Sequence, residues 1–160
     1  MSYKLEKPLS IKQRAGFIVE YNHNKGLRIE ETDEALYALE AWEGVNEQGE
    51  VISNKEVWEA EQVQKEKERV AKLYLTGADV ERGIYQAKGL DFDDILAFVT
   101  ANPPQGLDIK ALKIELKANH FYRGNPYVEA VGALLGFTEE QLDKFFETND
   151  YQYLLGEVNE

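Results

Sequence analysis

His120, Tyr122 and Arg123 stand close together in the segment ANHFYRGNP, and their side chains could form an acid-base cluster that transfers a proton. Imidazole titrates near neutral pH, so His120 could serve as a general acid or base. The other histidine, His23, lies far away in a cluster of turn-forming residues. A helix end, where His and Arg face the last carbonyl groups, is the more ordinary interpretation of this segment.

Carboxylates offer a second kind of chemistry, because Asp91, Asp93 and Asp94 resemble the start of a calcium loop. An EF-hand needs a glycine at the sixth loop position, where this chain has Leu96, so an acidic helix N-terminus is the better explanation. The chain has no cysteine, and no nucleophile-elbow or phosphate-loop motif occurs. We therefore expect a protein that is not an enzyme, with no catalytic residue, metal site or cofactor. A metal-dependent hydrolase built from scattered carboxylates and His120 stays as an alternative.

Residues 128–148 have the spacing of a helix-turn-helix, with Gly136 at the bend and a capping box formed by Thr138 and Gln141. The second helix carries too much negative charge to meet a phosphate backbone. Its acidic residues, opposed by Lys144 alone, are Glu139, Glu140, Asp143 and Glu147. We predict a packed helical corner, and a phage regulatory protein that binds DNA through this unit is the alternative.

Four aromatic residues are the candidate partner-binding residues. Trp42 and Trp58 flank a polar stretch, whereas Tyr151 and Tyr153 belong to an apolar tail that could instead close a core. Trp and Tyr are enriched in protein interfaces, since their rings supply a large contact area at low entropic cost. Trp42, Trp58, Tyr151 and Tyr153 are therefore predicted to contact a protein partner.

The overall charge favours a protein partner over nucleic acid or an anionic membrane. Asp and Glu number 30 against 18 Lys and Arg, which gives a formal net charge of −12. The first ten residues contain no apolar signal segment, and no run of about eighteen apolar residues follows. We expect a protein of the cytoplasm, with no membrane partner. Homo-oligomer formation is left open.

The elements that must position these residues indicate an α+β fold that is mainly α. Residues 1–53 are predicted to form a helix over 11–23 and two or three short antiparallel strands. Residues 54–75 are predicted to form a long polar connecting helix, and residues 76–160 a five-helix bundle. A helix that is polar all round can bridge two packed parts, associate with a copy of itself or lie on one lobe, and the pattern leaves these alternatives open.

Two segments carry a family resemblance. KQRAGFIVEYNHNKGLRIEETDEALYALEAWE and FYRGNPYVEAVGALLGFTEEQLDKFFETNDYQYL are similar to small acidic proteins of phages and prophages of Gram-positive bacteria, encoded near tail genes. The resemblance implies a role in tail or tail-fibre assembly, or as a minor tail component, with a phage tail protein as partner. It implies a location in the bacterial host or in the virion, and it assigns no catalytic or binding residue.

Overall fold

The computed structural model describes residues 1–156 and shows an α+β protein that is mainly α, which confirms the predicted fold class. The chain divides into two compact units, Met1–Gln64 and Lys65–Glu160. Each unit has its own core and is described by itself below. The last four residues of the predicted helical lobe, 157–160, lie outside the described residues.

The first unit contains one helix and five short strands, followed by the start of a long helix. α1 begins after Ser10, whose side chain forms a capping box with Gln13, and it continues into one π-helical segment. The elements are β1 (Tyr3–Glu6), α1 (Ile11–Ile18), the π-helical segment (Val19–Asn24), β2 (Arg28–Glu31), β3 (Ala35–Leu39), β4 (Glu43–Val45), β5 (Val51–Ser53) and α2 (Lys55–Ala71).

The central strand β3 organises this unit, because all five of its residues are buried. It pairs antiparallel with β1 on one side and with β2 on the other. On one face, Leu36 and Ala38 pack with Phe17 and Leu27; on the other, Ala35, Tyr37 and Leu39 contact Val45 of the hairpin that follows. Burial on both faces explains why this strand is continuously apolar.

A tight turn joins β4 to β5. The Asn46 side chain accepts hydrogen bonds from the backbone amides of Gln48 and Glu50, and Gly49 adopts a φ of 78°. The Tyr37 hydroxyl donates to the Gly49 carbonyl over 3.0 Å. The hairpin is thus fixed to the sheet through a buried tyrosine. The turn also favours glycine at position 49, because few other residues adopt its positive φ.

The second unit contains the five predicted helices, together with two short strands and a 3-10 helix. Each of its five helices begins at a residue whose side chain accepts a hydrogen bond from the first turn. The elements are β6 (Tyr74–Thr76), α3 (Gly77–Lys88), α4 (Phe92–Ala101), α5 (Ile109–Glu115), β7 (His120–Tyr122), α6 (Pro126–Leu134), α7 (Glu139–Thr148) and a 3-10 helix (Tyr151–Leu155).

Two glycines let the helices of this lobe approach closely. A Cβ atom on Gly83 would lie 2.4 Å from Cζ of Phe145, and one on Gly132 would lie 2.5 Å from Cδ1 of Leu142. Phe145 and Leu142 are both buried in the same core. Packing of α7 against the rest of the lobe therefore depends on the missing side chains at both positions.

Three features of the fold differ from the sequence-based expectations. The first unit has five strands rather than two or three, because the segment after the first helix forms four strands and β1 lies before that helix. The long helix ends at Ala71, short of 75, and Tyr74 begins β6, which pairs antiparallel with β7. His120 therefore lies in a strand and not at a helix end.

Candidate protein-binding surfaces

The two tryptophans meet within the first unit. Their ring centroids lie 5.7 Å apart in an edge-on arrangement, and Nζ of Lys55 lies 5.4 Å from the centre of the Trp42 ring. A hydrogen bond of 2.8 Å, donated by the Asn54 amide to the Trp42 carbonyl, holds together the two chain segments that carry these rings. The structure thus joins two residues that the sequence indicated separately, and both are half-buried.

Exposed apolar residues adjoin this pair along the chain. Val57, next to Trp58 in the first turn of α2, is 61% exposed, and Ile52 on β5 is 42% exposed. Within residues 1–156, β4 and β5 pair only with each other, so this sheet has free edges. We call Trp42, Ile52, Val57 and Trp58 the tryptophan surface.

The other two predicted residues lie in the second unit, in the 3-10 helix that contacts α3 and α7. Leu154 from this helix is buried in the core, Tyr151 is half-buried and Tyr153 is 45% exposed. The tail therefore closes the core through Leu154 and leaves Tyr153 as its accessible ring. The tail thus helps to close the core, and contact of Tyr151 and Tyr153 with a partner stays a prediction.

An aromatic cluster that the sequence analysis missed covers the outer face of the β6–β7 ladder. The Tyr74 ring lies 5.4 Å from His120 and 5.7 Å from Tyr122, measured between centroids. On the opposite face, Leu75 and Phe121 are buried in the core. In both strands, YLT and HFY, exposed and buried residues alternate with a period of two. This alternation is the signal in the sequence that could have revealed the cluster.

His120, Tyr122 and Arg123 do not converge on one site. His120 and Tyr122 lie in the exposed cluster, whereas Arg123 is buried and its Nε donates to Oδ1 of Asp143 over 2.7 Å. Arg123 connects the end of β7 to α7, and Asp143 replaces water as the partner of this arginine, which is only 8% exposed. This arrangement gives Arg123 a structural role.

The carboxylates near Asp91 serve to start a helix. Asp91 accepts from the Asp94 amide over 2.8 Å, and Asp94 accepts in return from the Asp91 amide over 3.2 Å. Throughout residues 1–156, no three His, Asp or Glu side chains are grouped so as to hold a metal ion. The geometry therefore offers no support for the hydrolase alternative.

The α6–α7 pair has the predicted turn, with Gly136 at a φ of 78° and the capping box at Thr138. Leu142, Phe145 and Phe146 of α7 are buried, so the inner side of this helix is occupied by packing. Its outer side borders an open groove of about 510 Å³, which we call the α7 groove. Six carboxylates and four cations line it: Glu66, Glu129, Glu139, Glu140, Asp143 and Glu147, with Lys67, Arg69, Arg123 and Lys144.

Ion pairs neutralise part of the α7 groove. Arg69 contacts Glu66 and Glu147, each at 2.8 Å, and Lys144 contacts Glu147 at 3.3 Å. Hydrogen bonds from Arg69 lower the pKa of Glu147 and of Glu66, and Lys144 lowers the pKa of Glu147 further. The same carboxylates raise the pKa of Arg69. Glu66 and Glu147 are therefore ionised at neutral pH and lose their charges only in acid.

Replacing Arg69 with Met is expected to lower the melting temperature at neutral pH and to have a smaller effect in acid, where the carboxylates become protonated. A carboxylate whose pKa is lower in the folded state stabilises that state above its unfolded pKa, about 4.3 for Glu. That stabilisation disappears as the pH falls through the folded pKa. Thermal unfolding of both proteins across this pH range measures the effect.

Lys72→Met is the matched control, since Lys72 is exposed and has no ion pair within residues 1–156. It removes the same charge from the chain without touching the cluster. An equal loss of melting temperature in both variants at neutral pH would assign the effect to net charge and contradict the Arg69 cluster.

Comparisons with known proteins complete the description of these surfaces. No protein-family model matches the chain, and neither a curated protein nor a solved structure matches it. Of the helices within residues 1–156, none combines the length and the apolar character needed to cross a membrane.

Proposed function

We propose that the chain is a noncatalytic phage or prophage protein that acts by contact with other proteins, in tail or tail-fibre assembly or as a minor tail component. The observation that carries the contact role is the tryptophan surface: paired half-buried rings beside Val57, which is 61% exposed, at the end of a hairpin with free edges. The tail context comes from the resemblance of residues 12–43 and 121–154.

The chemistry of the tryptophan surface suits a protein partner. Binding energy in interfaces is concentrated in a few large residues, among which Trp and Tyr are the most frequent, and these are surrounded by smaller apolar contacts. Trp42 and Trp58 would be such anchors, with Ile52 and Val57 as the surrounding contacts. A free strand edge at β5 would add main-chain hydrogen bonds to the same partner.

The charge distribution restricts the choice of partner. A net charge of −12 repels nucleic acid and anionic lipid, and it favours partners with neutral or basic surfaces. Tyr153, exposed on the second unit, is a further candidate anchor. The proposed location is the cytoplasm of the bacterial host, with incorporation into the virion for a minor tail component.

Deletion of the gene from an inducible prophage tests this function. We expect heads filled with DNA but few or no complete tails in electron micrographs of the lysate, with full recovery when the wild-type gene is supplied. Normal tails and a normal yield of infectious particles would contradict the proposal. A changed level of phage transcripts before tail proteins are made would favour the regulatory alternative.

Complementation with variants assigns the function to the tryptophan surface. Trp42→Ala with Trp58→Ala is expected to restore few tails, whereas Tyr85→Ala is expected to restore them fully. Tyr85 is a suitable control because its ring is 61% exposed and lies outside every surface described above. Circular dichroism of the purified variants establishes that each one is folded.

A further inference from the structure

The outer face of α5 carries positive charge that this acidic chain does not neutralise. Lys110, Lys113 and Lys117 are exposed, and none of their side chains has an ion pair or hydrogen-bond acceptor among residues 1–156. Successive residues of an α-helix are separated by about 100°, which places Lys110, Lys113 and Ile114 on one side of α5. Lys117 follows in the turn just beyond the end of the helix. Leu112, fully buried, lies on the opposite side.

Ile114 gives this face an apolar centre. Its side chain is 71% exposed, which is unusual for a large aliphatic residue flanked by three charges. Isolated exposed apolar residues are common, but an isoleucine framed by unpaired lysines has the pattern of a binding face with a charged rim. We call Lys110, Lys113, Ile114 and Lys117 the α5 face.

The α7 groove of the same unit has the complementary arrangement. Its lining includes Val70, Ala71 and Gly124, which we call its apolar floor, and the six carboxylates outnumber the four cations of the same lining. Glu129, Glu139 and Glu140 have no cationic partner within the described chain, in contrast to the paired Glu66, Asp143 and Glu147. None of the four residues of the α5 face lines this groove, so a single copy does not satisfy one with the other.

We propose that the α5 face of one copy binds in the α7 groove of a second copy. Ile114 would lie on the apolar floor, and the three lysines would meet Glu129, Glu139 and Glu140. Each copy presents both surfaces, so two copies can make the contact twice, as in a closed two-fold dimer, or once, which leads to a ring or an open filament. The charge match both favours this orientation and disfavours pairing of like faces.

Sedimentation velocity of the wild-type protein over a range of concentrations provides the first measurement. We expect the weight-average mass to rise with concentration at low salt, and the association constant to fall at least about tenfold when salt is raised from about 0.05 M to about 0.5 M, because the Debye length shortens. A monomer at every concentration in low salt would overturn the proposal, and so would an assembly that salt does not weaken.

Charge-reversal variants then locate the two surfaces. The face variant combines Lys110→Glu, Lys113→Glu and Lys117→Glu; the groove variant combines Glu129→Lys and Glu140→Lys. Each variant alone is expected to remain monomeric, and an equimolar mixture is expected to associate, because each one retains the surface that the other lacks. A mixture that stays monomeric, or a variant that associates like the wild type, would overturn the proposal.

A control with the same change of charge excludes a general electrostatic effect. Lys12→Glu, Lys65→Glu and Lys72→Glu alter exposed lysines outside both surfaces. This triple variant is expected to associate as the wild type does, and equal loss of association in the control would overturn the assignment to α5. All substituted side chains are exposed, and circular dichroism checks that each variant is folded.

Discussion

Gly83→Ala is expected to lower the free energy of unfolding by about 3 kcal/mol, at the upper end of the range for overpacking a core. The new methyl group would lie 2.4 Å from Cζ and 2.7 Å from Cε2 of Phe145. Phe145 is only 2% exposed and packs edge-on against Phe146, so the added methyl group would displace its ring within the core or force α3 and α7 apart.

Thermal or denaturant unfolding followed by far-ultraviolet circular dichroism measures this loss. Gly16→Ala is the control, because Gly16 also lies inside a helix and its added methyl group would meet nothing within 4 Å. That substitution is expected to raise stability by up to about 1 kcal/mol, from helix propensity alone. Similar stabilities for the two variants would contradict the close packing of α3 on α7.

Replacing the Phe145 ring with a smaller side chain is expected to reduce the loss of stability caused by Gly83→Ala. In a background with Phe145→Leu, the cost of adding the methyl group at position 83 is expected to fall by about 1 kcal/mol or more, since residues in contact have coupled effects. A double-mutant cycle on the four proteins measures this coupling. Strictly additive effects would show that the methyl group and the ring do not meet.

Tyr37→Ala is expected to cost about 3–5 kcal/mol, the range for removing a large aromatic side chain from a core. Tyr37 is 1% exposed and lies at the centre of β3. Its loss leaves a cavity beside Leu39 and Val45 and also frees the Gly49 carbonyl of the hairpin turn. We therefore expect the β4–β5 hairpin to loosen along with the sheet.

Tryptophan fluorescence is the appropriate measurement, because the chain has two tryptophans and both lie in the first unit. Tyr37→Phe separates the two contributions: it keeps the ring and removes only the hydroxyl, at an expected cost of about 1 kcal/mol. If Tyr37→Ala cost no more than Tyr37→Phe, the buried packing of this ring would be refuted.

Local signals in the sequence were sufficient to predict most helices. The capping box of Thr138 and Gln141 marked where α7 begins, and this signal depends only on residues within one turn. Helical spacing of apolar residues is likewise a local signal. Confirmation of the mainly α class follows from these local features.

The strands that the sequence analysis missed depend on distant partners. β1, β6 and β7 have four, three and three residues, too few for an alternating pattern to stand out. β6 is stabilised by pairing with β7, more than forty positions later, as in the Tyr74↔Tyr122 register. Tyr74 therefore extended the predicted helix, and the exposed aromatic cluster went unrecognised.

Residue type indicated the candidate sites better than it indicated their contacts. Trp42 and Trp58 were chosen because large aromatic residues anchor interfaces, but their contact with each other requires the hairpin between them to close. The buried Arg123–Asp143 ion pair could not be predicted from local patterns either, because it depends on how α7 packs. Pairing across the fold is the information that local patterns lack.

The long polar helix α2 contributes residues to both compact units. α2 has no buried residue, and the boundary between the two compact units falls within it, between positions 64 and 65. Its second half belongs to the second unit, where Arg69 pairs with Glu147. The predicted polar character is therefore present, and its final turns take part in the α7 groove.

Coexpression with each protein encoded by the adjacent tail genes tests the proposed contact function most directly. The full chain is expected to coelute with at least one of them in a fixed ratio, and Trp42→Ala with Trp58→Ala is expected to reduce the recovered complex by about tenfold or more, as for loss of an interface anchor. Failure to coelute with any tail protein, together with absence of the chain from purified virions, would contradict the account.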